Sequence, residues 1–142
     1  MNQVFAVVMT AVALFTVGVG ALFGIWMGAE ETERTLAGPI DVTVYIDYGD
    51  GDAEVYEIST VNATAYGVLL DAARPEVGNF TVRATYYSNY DAVLVEEIGG
   101  RTNGDGGRYW VYRVNGEFAN VGADRCVLHE GDLVEWSFES WG

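Results

Sequence analysis

Arg108-Tyr109-Trp110-Val111-Tyr112-Arg113-Val114 runs directly into Asn115-Gly116, and the reading of this stretch decides the fold. Successive side chains of a strand point to opposite faces, so Trp110, Tyr112 and Val114 share one side and Tyr109, Val111 and Arg113 the other. Aromatic and β-branched residues suit a pleated, half-buried surface. Asn-Gly accepts the two positive-φ positions of a tight hairpin turn, so the chain reverses at 115–116. One such strand cannot stand alone, and the flanking sequence supplies partners.

Downstream, Asp132 to Phe138 reads as a closing strand with Val134, Trp136 and Phe138 on one face. Upstream, Ile40 to Tyr48 alternates, with Val42, Val44, Ile46 and Tyr48 against Asp41, Thr43, Tyr45 and Asp47. Gly49-Asp50-Gly51-Asp52 is a turn and Glu54 to Ser59 a return strand, a second hairpin. A helix follows, capped by Asn62, with Tyr66, Leu69, Leu70 and Ala73 spaced as one buried face. Pro75 ends it, because the residue before a proline avoids the helical region. Phe80 to Tyr87 is a strand with Phe80, Val82, Ala84 and Tyr86 inward; Ala92 to Ile98 is another, and Arg101 to Gly107 a glycine-rich loop. The expected fold over residues 40–142 is a small α+β domain of the β-grasp kind: hairpin, one helix, then further antiparallel strands.

The C-terminal third also carries a recognisable pattern. Tyr109 to Gly116 is followed by Val121-Gly122-Ala123-Asp124, Leu128, Gly131-Asp132-Leu133-Val134-Glu135-Trp136 and Trp141. It resembles the DUF4430 family, in which an aromatic strand enters a Val-Asn-Gly turn and a Gly-Asp pair precedes the last strand. That family's fold is similar to the C-terminal β-domain of transcobalamin and intrinsic factor. The resemblance covers residues 40–142. It implies a domain that caps a corrinoid bound against a separate helical domain, so a corrinoid such as cobalamin is the first ligand it suggests.

Charge narrows the partners. The chain has 21 Asp and Glu against 7 basic residues, all Arg, for a net charge of -14. Every charged side chain lies at or beyond Glu30, so the part of the chain after the apolar run carries the whole excess. Such a surface repels phosphate backbones and excludes nucleic acid as a partner. A Lys-free acidic surface also suits a high-salt habitat, where salt screens self-repulsion; a halophilic source is expected. Cys126 is the only cysteine, so no intrachain disulfide forms.

Residues 1–29 have no charged side chain. From Val4 to Ala29 the run is apolar apart from Thr10, Thr16 and small residues. As a helix it would cover roughly 38 Å at about 1.5 Å per residue, enough to cross a hydrocarbon core of about 30 Å. The expectation is one uncleaved transmembrane signal-anchor helix at 1–29, a linker at 30–39, and a domain at 40–142 outside the cell membrane. Gly20, Gly24 and Gly28 stack on one helix face and permit close helix association, with a second copy or a membrane partner. The acceptor sequons Asn62-Ala63-Thr64 and Asn79-Phe80-Thr81 mark Asn62 and Asn79 as glycosylation candidates.

Two groups are candidate ligand contacts: Trp110, Tyr112 and Asn115 on the aromatic strand and its turn, and Tyr86, Tyr87 and Tyr90 as a rim. Asp47, Asp50 and Asp52 are explained by turn chemistry without a metal, and His129 is a lone histidine. No catalytic constellation, metal site or cofactor is expected, so the chain reads as a non-enzyme. The expected function is a membrane-anchored, cell-surface binding module for a small molecule or glycan. The alternative is a structural or adhesion subunit of a surface assembly, built through the helix and the β-domain.

Overall fold

The computed structural model describes residues 38–141. The expected membrane helix at 1–29, its glycines Gly20, Gly24 and Gly28, and the linker up to residue 37 lie outside the described residues. Among the described residues, no helix is long and apolar enough to cross a membrane.

The domain is largely β with one helix. The elements are β1 (Ile40–Asp47), β2 (Ala53–Thr60), α1 (Ala65–Ala73), β3 (Val82–Tyr87), β4 (Ala92–Ile98), β5 (Arg101–Thr102), β6 (Arg108–Val114), β7 (Glu117–Phe118) and β8 (Leu133–Ser140). They form a five-stranded sheet in the order β2-β1-β8-β6-β7 and a three-stranded sheet in the order β3-β4-β5. Both expected hairpins are present: β1 pairs antiparallel with β2, and β6 with β7. Asn115 (φ 51) and Gly116 (φ 85) take the two positive-φ positions of the turn between β6 and β7. Gly49 (φ 84) opens the first turn, where an added Cβ would lie 2.5 Å from the Phe138 carbonyl oxygen.

One pairing corrects the expectation of antiparallel strands throughout. β8 runs parallel to β1, from Thr43↔Leu133 to Asp47↔Ser137, and antiparallel to β6. A parallel pair needs a long crossover, and everything between β1 and β8 serves as one. Further, β3 and β4 do not join the main sheet but build the smaller one.

The helix is where expected but turned by one residue. Thr64, not Asn62, is the N-cap: its Oγ1 accepts from the Gly67 N–H at 3.0 Å. The Ala65 and Tyr66 amides are taken by the carbonyls of Cys126 (3.0 Å) and Ala123 (2.9 Å), so the 123–127 loop fixes where the helix begins. Its buried face is therefore Ala65, Val68, Leu69 and Ala72, while Leu70 is 40% exposed. The helix packs over β1 and β2. At its far end Asp71 is buried, accepting from the Thr60 hydroxyl and from Arg74 Nη2 at 2.7 Å, which ties β2 to α1. Helix and main sheet enclose Val42, Val44, Ile46, Val134, Trp136 and Phe138, and Val95 and Ile98 of β4 join that core.

Candidate functional site

β4 and β6 belong to different sheets yet run side by side, their Cα atoms approaching within 8 Å. Strand edges left this close need their backbone groups satisfied. Asn103 does so at one end. Its Nδ2 donates to the Val95 carbonyl at 3.1 Å, and its Oδ1 accepts the Trp110 N–H at 2.7 Å. At the other end Asp124 Oδ1 accepts the Val93 N–H at 3.0 Å. Between these two pegs lies a cleft of about 300 Å³.

Its lining is aromatic and aliphatic. β4 contributes Val93, Leu94 and Val95, β6 contributes Trp110, Val111 and Tyr112, and β8 contributes Trp136 from beneath. Phe118, Val121 and Trp141 complete it, all three well exposed. No Asp, Glu, Arg or His lines it, in a chain whose net charge is -14. Leu94 also borders two neighbouring depressions. One, of about 400 Å³, is walled by Tyr87, Tyr90 and Gly122. The other, of about 360 Å³, is walled by Asn103, Tyr109 and Trp141. Beyond Tyr90 a wider, more polar hollow holds Asp91, Asn120 and Arg125.

The two sequence-derived aromatic groups thus meet at one place, with roles redistributed. Tyr90, 80% exposed, and Tyr87 stand on the rim. Tyr86 is exposed rather than inward; its hydroxyl donates to Asp91 Oδ1 at 2.5 Å. That bond, and then the Arg125 guanidinium, hold the Asp91 carboxyl below the ordinary range. Trp110 is only 5% exposed: its indole N–H donates to the Arg101 carbonyl at 2.7 Å, and its ring packs edge-on against Tyr48 and tilted against Phe138. It forms floor, not rim.

Tyr112 is half-buried and stacks on Trp136, with centroids 5.1 Å apart and planes 28° from parallel. Its hydroxyl donates to the Val121 carbonyl at 2.5 Å, and burial is the main cause pushing its pKa well above a free tyrosine's. Asn115 does not line the cleft. Its Nδ2 donates to Asp132 Oδ1 at 2.9 Å and its Oδ1 accepts the Leu133 N–H at 2.9 Å, so it anchors the start of β8. Asn62 and Asn79 are both exposed.

Trp136 has a feature that sequence periodicity does not reveal. It is 2% exposed, and its Nε1 is the one buried side-chain polar atom without a hydrogen-bond partner among the described residues. Such an orphan costs about 1–3 kcal/mol, so native folds keep few of them. Leu94 and Phe118 were not singled out from the sequence, and Gly122 only as part of the family pattern. For Gly122 the reason is packing: an added Cβ would lie 2.6 Å from Ala92 Cβ, which brings its loop against β4.

At the acidic turn, Asp50 is ion-paired with Arg101 and accepts the Asp52 N–H at 3.2 Å. Among the described residues no three His, Cys, Asp or Glu gather as a metal site. The cleft offers aromatic and aliphatic packing surfaces.

Comparison with known proteins follows the same lines. The family model described as "Domain of unknown function (DUF4430)" matches residues 62–140. Solved structures of similar fold include two of note. The first is a candidate metal-binding protein from Ruminococcus gnavus ATCC 29149, with TM-score 0.59 and 22% identity, covering 72% of this chain and 99% of that one. The second is haptocorrin in complex with Cbi, with TM-score 0.59 and 16% identity, covering 72% of this chain. This chain spans 25% of haptocorrin's length. No curated protein sequence matches the chain.

Proposed function

The chain belongs to the DUF4430 family, and from that premise we propose that it is a binding module held at the cell surface by its N-terminal apolar segment, with the ligand seated in the cleft between β4 and β6. The observation that carries this reading is the cleft itself. Uncharged aromatic walls are concentrated there while the rest of the domain is acidic. Contiguous exposed apolar surface rimmed by polar groups marks interaction sites.

A corrinoid is the first ligand class. Support comes from the family resemblance and from the haptocorrin fold, whose structure holds Cbi. About 300 Å³ is the low end of small-molecule sites, so the cleft grips one edge of so large a ligand, and the bordering depressions receive what overhangs. Binding by one edge is weaker than enclosure between two domains.

The test is tryptophan fluorescence of the full chain in detergent and high salt, titrated with cobinamide and cobalamin. A free-tryptophan control corrects for ligand colour. Saturable quenching is expected. Absence of binding to about 1 mM, a free energy of only about -4 kcal/mol, would remove the corrinoid.

A further inference from the structure

Beside the apolar cleft, the polar hollow of about 630 Å³ is lined by a different chemistry and framed by two fixed walls. One wall is the turn between β3 and β4. It is closed by the Tyr90 N–H on the Tyr87 carbonyl (3.1 Å) and the Asp91 N–H on the Ser88 carbonyl (3.3 Å). The other is the 119–125 loop, held to β6 by the Tyr112 hydroxyl on the Val121 carbonyl and to β4 by Gly122 against Ala92. Arg125 bridges the two walls through its ion pair with Asp91, and both side chains stay more than half exposed. A ligand therefore meets groups that are already positioned and open to it.

Donors and acceptors are mixed there. A carboxylate has about four lone-pair sites. In Asp91 the Tyr86 hydroxyl takes one on Oδ1 and Arg125 one on Oδ2, so both oxygens keep acceptor capacity. Arg125 commits Nη2 to Asp91 and retains further N–H donors. Asn120 adds an exposed amide with a donor and an acceptor. Tyr90, 80% exposed, sets an aromatic ring at the edge. Net charge does not pick the ligand. The Asp91 and Asp124 carboxylates both stabilise the Arg125 cation, so an anion gains little, and a cation has to displace Arg125 from Asp91. What remains is a neutral group that donates and accepts at once, which a hydroxyl does. We propose that this hollow is a binding site for a neutral sugar: the C–H face of one pyranose ring rests on Tyr90, and its neighbouring hydroxyls bridge Asp91, Arg125 and Asn120. Sugar C–H hydrogens suit the negative face of the tyrosine ring. The site goes beyond the corrinoid reading and needs no ligand in the β4–β6 cleft. Hydroxyls exchanged from water onto open groups gain little net free energy, so the expected Kd is about 1 mM.

The experiment uses the full chain in a sugar-free detergent, because alkyl glycosides would compete. Methyl glucoside, methyl galactoside, methyl mannoside and glucuronate are titrated and followed by saturation-transfer NMR. At least one neutral glycoside should bind saturably, and glucuronate more weakly. Tyr90→Ala removes a side chain outside the core; it should weaken the glycoside about fivefold or more and leave the unfolding temperature unchanged. Asp91→Asn keeps a residue type that tolerates the positive φ of 49° at this position and leaves the Arg125 charge uncompensated. It should weaken the neutral glycoside and narrow its advantage over glucuronate. No saturable binding of any neutral glycoside, a wild type that prefers glucuronate, full affinity in Tyr90→Ala, or an unaltered preference in Asp91→Asn would each overturn the proposal. Cobinamide in the same assay separates the two claims: glycoside binding without cobinamide binding removes the corrinoid and keeps the sugar site, and the reverse removes the sugar site alone.

Discussion

Trp110 shows what alternation along a strand reveals and what it hides. Period two assigns Trp110, Tyr112 and Val114 to one face; it does not say whether that face meets solvent or core. From sequence, Trp110 was a ligand contact. In the fold it is wedged between Tyr48 and Phe138 with its N–H satisfied. Trp110→Ala should therefore cost about 3–5 kcal/mol of stability, read as a fall in the urea midpoint, and it also removes part of the cleft floor. An unchanged midpoint would contradict the core assignment. Asn115 was legible as a turn residue, but its side-chain work was not, because its partners Asp132 and Leu133 are distant in sequence. Donation from Asn115, and then from the His129 amide, holds the Asp132 carboxyl below its ordinary range. A depressed carboxylate contributes stability that is present above its unfolded value, about 3.9, and is lost as pH falls through the folded one. Asn115→Ala should raise the Asp132 titration midpoint, followed by carboxyl ¹³C NMR. Its stability deficit at neutral pH should narrow in acid; a midpoint that stays put would refute the link.

Among the elements, the longer strands and the turns were legible to within a residue or two, because period two and Asn-Gly chemistry are local, while the two-residue β5 lay in what read as a glycine-rich loop. The parallel pairing of β1 with β8 was not: nothing in either strand states which distant strand lies beside it or in which direction. The helix was legible in spacing but displaced by one residue. Its start is set by the Cys126 and Ala123 carbonyls, which lie some sixty residues further along the chain. The same limit hid the cleft, which is made by the approach of two sheets. Asn103 sits between them as a two-sided peg. Asn103→Ala would strand the Trp110 N–H and the Val95 carbonyl. The expected loss is about 1–3 kcal/mol, with faster hydrogen exchange at the Trp110 amide than at its β6 neighbours. Uniform protection along β6 would show that the peg is dispensable.

For the whole molecule, charge dominates. The chain's net charge of -14, most of it on so small a domain, favours expansion at low ionic strength, and molar salt reduces the Debye length to about 3 Å. The unfolding temperature should rise between low salt and molar salt, measured by far-UV circular dichroism. A salt-indifferent transition would argue against a halophilic setting. The same acidity makes the uncharged cleft the place where an apolar ligand meets least resistance. Leu94 tests this most directly, because it borders the cleft and both neighbouring depressions, yet is 47% exposed and so is dispensable to the core. The decisive measurement is the affinity of the full chain for cobinamide, by fluorescence and calorimetry, in the wild type and in Leu94→Asp. Saturable binding that weakens about tenfold or more in the variant, roughly 1.4 kcal/mol, with an unchanged unfolding temperature, is the predicted result. Equal affinity in the two proteins would place the ligand elsewhere, and no binding in either would contradict a corrinoid-binding role.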